Sequence, residues 1–68
     1  MITHKKSFGV YHWDTFDNET LLVGQEDSLG DAIHFVTVRY GDRLKAHGVD
    51  RVDIVDLHGT VIAKFNVG

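Results

Sequence analysis

Two stretches of this chain alternate apolar with polar residues, and they bracket a third with a longer period. SFGVYHWD (7–14) and ETLLVGQ (19–25) are rich in β-branched and aromatic residues. The intervening TFDN holds an Asp17-Asn18 pair that tolerates the backbone angles of a tight turn, so a hairpin is predicted. A second hairpin is predicted from VDRVDIVD (49–56) and TVIAKFNV (60–67), which flank LHG. There Gly59 can take the left-handed position that closes a three-residue loop.

Between the hairpins the signals change to those of a helix. Ser28 is a good N-cap, and Asp31 three residues later places a negative charge in the first turn. Gly48 supplies a stop, with Arg43, Lys45 and His47 ahead of it where positive charge is favoured. At 100° per residue, Leu29, Ala32, Ile33, Val36, Tyr40 and Leu44 fall within about 120° of arc, the stripe of a helix packed on a sheet. Val36, Thr37 and Val38 are poor helix formers, and Gly41 weakens a helix interior. Caps, stripe and position between hairpins outweigh them, predicting a helix over 29–40 that resumes as far as 46.

The order ββαββ predicts a two-layer α+β domain, a four-stranded antiparallel sheet with one helix packed on one face. Residues 7–68 form the single domain and residues 1–6 a flexible N-terminal arm. The pattern leaves open which strands join the two hairpins.

In the second hairpin, pairing Asp56 with Thr60 sets Val55 opposite Val61, Ile54 opposite Ile62, Asp53 opposite Ala63, Val52 opposite Lys64 and Arg51 opposite Phe65. Side chains alternate between faces, so Val49, Val55, Val61, Ala63, Phe65 and Val67 share one face while Val52, Ile54 and Ile62 share the other. In the first hairpin Tyr11, Trp13 and Leu22 share a face, opposite Phe8, Val10, Leu21 and Val23. A solvated antiparallel sheet has a polar second face, and this one does not. On the helix, Phe35 and Val38 project away from the stripe. Apolar residues without intramolecular cover mark protein contacts, so Phe35, Val38, Tyr11, Trp13, Val52, Ile54 and Ile62 are the candidate protein-binding residues.

Composition narrows the chemistry. A 68-residue chain buries only about 60% of the surface that its unfolded form exposes, so a partner or a second copy would add needed burial. There is no cysteine, which removes disulfides and thiolate metal sites and suits a reducing compartment. The formal charge of −3 opposes nonspecific binding to phosphates. Behind MITHKKSF no apolar stretch is long enough for a signal peptide or membrane span, giving the expectation of a cytoplasmic protein of its host cell, with no membrane. Asn18-Glu19-Thr20 matches a glycosylation sequon, which has meaning only on a secretory path.

Catalytic constellations are sparse. Ser7 and Ser28 sit at a strand start and a cap, and Asp53 and Asp56 fall on opposite strand faces. Five histidines (4, 12, 34, 47, 58) lack the spacing of a metal pair. His12 and Asp14 share a strand face, but a solvated or hydrogen-bonded histidine is the commoner reading. No cofactor, metal or enzyme activity is expected. The expectation is a noncatalytic protein-protein interaction module that docks on a protein partner or on itself as a homodimer. A small regulator or inhibitor fits, by analogy of size with phage-encoded inhibitors of host defence complexes such as CRISPR-Cas. The alternative is a single-stranded nucleic-acid-binding sheet using Tyr11, Trp13, Arg51 and Lys64.

Overall fold

The computed structural model describes residues 4–44 and 50–67. Its elements are β1 (Phe8–Asp14), β2 (Glu19–Glu26), α1 (Leu29–Tyr40), β3 (Asp50–Asp56) and β4 (Val61–Val67). All pairings are antiparallel and the strand order is β2-β1-β3-β4, so the hairpins join through their first strands. β2 and β3 therefore run parallel on either side of β1, with α1 crossing between them. The α+β two-layer ββαββ fold matches the sequence expectation.

Local chemistry sets the turns. Asn18 has φ 53° in the first hairpin turn and Gly59 has φ 82° in the second, the left-handed conformations expected there. Asp56 closes the second turn, its Oδ1 accepting the backbone N–H of His58 at 2.8 Å and of Thr60 at 2.9 Å. At the start of α1 the Ser28 side chain accepts the Asp31 N–H at 3.1 Å. The helix ends at Tyr40 with Gly41 as C-cap, and the Arg43 N–H folds back to the Tyr40 carbonyl at 2.8 Å. Residues 41–44 are turns rather than resumed helix, while Lys45, His47, Gly48 and Val49 lie outside the described residues.

The core lies between α1 and one face of the sheet. Val10, Ala32, Val36, Tyr40, Val52, Ile54 and Val67 are buried there, with Leu29, Phe35, Leu44, Phe65 and others packed against them. Two expectations for the helix need correction. Ile33, placed in the stripe, is exposed. Phe35, expected to point outward, is half-buried against the core. The cause is Gly24 on β2, where a Cβ would lie 2.8 Å from the Phe35 ring. The missing side chain leaves room that a long aromatic can reach from the flank of the helix.

β4 also departs from the expected register. Val55 pairs with Val61 as expected, but the register then shifts, so that Ile54 pairs with Ala63, Asp53 with Lys64, Val52 with Phe65 and Arg51 with Asn66. Ile62 is the extra residue of a β-bulge. One residue of slip reverses which side chains share a face. Val52 and Ile54, expected on the face opposite Ala63, Phe65 and Val67, instead join them beneath the helix and are fully buried. The bulge thus brings Val52 and Ile54 to the same covered side as Ala63, Phe65 and Val67, while Val55 and Val61 stay on the open face. A matching irregularity in the first hairpin leaves Val23 unpaired and packed on the core.

Candidate functional site

Register fixes what remains on the face away from α1. Tyr11 pairs with Leu22 and Asp53, Trp13 with Thr20 and Arg51, Gly9 with Gln25 and Val55, and on β4 Lys64 and Val61 continue these rows. Tyr11, Trp13 and Leu22 share this open face as the alternation predicted. Of the other candidate residues, Ile62 is 42% exposed at its bulge and Val38 is 71% exposed on the outer side of α1. Phe35, Val52 and Ile54 belong to the core side, so burial withholds them from an outside contact.

The centre of the open face is built from two crossed pairs. The Arg51 guanidinium lies 4.4 Å from the centre of the Trp13 ring, a cation–π contact. Arg51 Nε also approaches Asp53 Oδ1 to 2.9 Å, yet neither atom makes an aligned hydrogen bond, so attraction of charge holds the pair. Asp53 is buried, and it places a carboxylate between Tyr11 and Lys64.

Residues 4–6, expected in a loose arm, lie over this face. His4 is only 5% exposed, and its Nδ1 meets the Tyr11 hydroxyl at 2.8 Å with the rings edge to face. The backbone N–H groups of Lys5 and Lys6 donate to Gln25 Oε1 at 2.7 and 3.3 Å. Gly9 permits the approach, since a Cβ there would come 2.5 Å from His4 Nδ1. Beside His4 an open depression of about 520 Å³ is bounded by Tyr11, Thr20, Asp53, Val55 and His58.

On the helix side, His12 does not join Asp14. Its Nε2 lies 3.3 Å from Asp50 Oδ2 and its Nδ1 3.4 Å from the Tyr40 hydroxyl. Asp50 Oδ1 accepts both the N–H and the hydroxyl of Thr15. The Thr15 N–H is the main cause that lowers the Asp50 pKa, against desolvation and helped by His12. The carboxylate of Asp14 instead holds the first turn, accepting the N–H of Phe16 at 2.9 Å and of Asp17 at 3.3 Å. Among the described residues no three His, Asp or Glu side chains come together to hold a metal ion.

The sequence pattern assigned no place on this face to His4 or Asp53 and did not single out Phe16. An isolated glycine at position 9, inside a strand run, was the available sign of a close approach. Nothing local distinguishes Phe16, which is 92% exposed in the first turn. No family model, curated protein or solved structure matches the chain.

Proposed function

We propose that this chain is a noncatalytic module that binds a protein partner through the open face of its sheet. The observation that carries the reading is that face itself: Tyr11, Trp13, Leu22, Val55 and Val61 lie opposite α1, with only residues 4–6 laid over part of it among the described residues. Tyrosine, tryptophan and arginine dominate the centres of protein interfaces, and Trp13 with Arg51 already stacked is a preformed pair of that kind. A second copy of the chain is one form such a partner takes. The finer reading, a regulator or inhibitor acting in the cytoplasm of a host cell, rests on small size, acidity and the analogy with phage inhibitors.

Single-stranded nucleic acid is the second reading, because Tyr11, Trp13, Arg51 and Lys64 do share the open face. Asp53 weighs against it. Its carboxylate occupies Arg51, and it sits in the row that joins Tyr11 to Lys64, where a phosphate backbone would meet repulsion.

Sedimentation and affinity capture with Trp13→Ala and Val61→Asp test the proposal. Self-association or retention of one stoichiometric protein partner is expected in the parent and is lost in both variants while the circular dichroism spectrum is kept. Oligonucleotide binding that weakens steeply with salt and disappears in Trp13→Ala would transfer the function to the second reading.

A further inference from the structure

Phe16 has no role in the fold. It is 92% exposed at the tip of the β1–β2 turn, yet the backbone beneath it is tied down. Asp14 accepts the N–H groups of residues 16 and 17, Asp50 accepts the N–H and hydroxyl of Thr15, and Asn18 takes the left-handed conformation. Two carboxylates thus fix a turn whose most apolar residue touches water. Presenting a ring from a fixed backbone lowers the cost of ordering the turn when the ring is buried in a partner.

Charge says what kind of partner. From Phe8 to Gln25 the hairpin carries no lysine or arginine, and its three acids, Asp14, Asp17 and Glu19, all lie within three residues of Phe16. An acidic collar repels nucleic acid and anionic lipid, and it attracts a basic protein surface. We propose that Phe16 is the anchor by which this chain enters an apolar pocket, rimmed by lysine or arginine, on its protein partner. The inference rests on the protein-binding reading of the molecule and adds a second contact, at the end of the sheet, to the one on its face.

A photoreactive phenylalanine analogue at position 16 of the full chain identifies the partner and the segment contacted. The expected crosslink falls in a partner segment that combines apolar residues with lysine or arginine. With that partner purified, Phe16→Ala weakens affinity about thirtyfold while the unfolding midpoint is unchanged. The double variant Asp17→Asn with Glu19→Gln slows association and flattens its salt dependence. The inference is overturned if Phe16→Ala binds as tightly as the parent, if position 16 crosslinks only to a second copy of the chain, or if the chain sediments with phosphatidylcholine–phosphatidylglycerol vesicles in a Phe16-dependent way. If Trp13→Ala abolishes partner binding and Phe16→Ala does not, this inference fails alone. If no protein partner and no self-association is found, the module reading fails and takes this one with it.

Discussion

Phe35 and Val38 are three positions apart on α1 and have opposite fates. The Phe35 ring fills the space above Gly24, whereas Val38 is largely in water. Phe35→Ala should therefore lower the unfolding free energy by about 2–3 kcal/mol, near the lower end for aromatic truncations because the ring is only half-buried. Val38→Ala should stay within about 0.5 kcal/mol. Urea unfolding of the two variants checks the contrast, and equal losses would contradict this packing. The positions of Ala32, Val36 and Tyr40 were legible in the sequence because they share one arc of the helix. Phe35 was not, because an arc fixes where a side chain starts and says nothing of how far an aromatic reaches toward a glycine on another element. His4 escaped notice for a similar reason: its place depends on Gly9 and Tyr11.

Among the elements, α1 spans the expected 29–40 but does not resume at 41–44, and the strands follow the alternation to within a residue at the ends that can be compared. Strand order and the bulge at Ile62 were not readable. Pairing between β1 and β3 joins residues about forty positions apart, and no local signal encodes it. The bulge looks like continuous alternation until the core demands that Val52 and Ile54 share a side with Phe65 and Val67. Two deletions separate these cases. Removing Ile62 keeps Val61 opposite Val55 and Ala63 opposite Ile54, so folding should survive. Removing Lys64 moves Asn66 onto the core face and Phe65 off it, which should cost about 3 kcal/mol or more. Thermal melts by circular dichroism distinguish them, and a Lys64 deletion that melts like the parent would reject the assigned register.

For the whole molecule, acid is the informative variable. Asp50 and Asp56 both have lowered pKa values, chiefly through the backbone N–H groups of Thr15 and Thr60 respectively. A carboxylate whose pKa is depressed on folding adds stability that is fully present above the ordinary aspartate value of 3.8 and fades as pH falls through the folded value. Stability should therefore drop as pH is lowered below about 4. Asp50→Asn and Asp56→Asn should each make that drop shallower in urea titrations from pH 6 to pH 3. An unaltered slope in both variants would remove these two groups from the account. Among the described residues no helix is long and apolar enough to cross a membrane. The two irregular pairings have one further consequence for the molecule in solution. β2 and β4 are the outer strands of the sheet, and each bears the extra residue of its pair, Val23 in one and Ile62 in the other. Both rims are thereby kinked, which discourages the edge-to-edge strand pairing between molecules that leads to fibres. A chain lacking Ile62 would keep its fold yet straighten one rim, and in concentrated solution it should form thioflavin-binding aggregates that the parent does not.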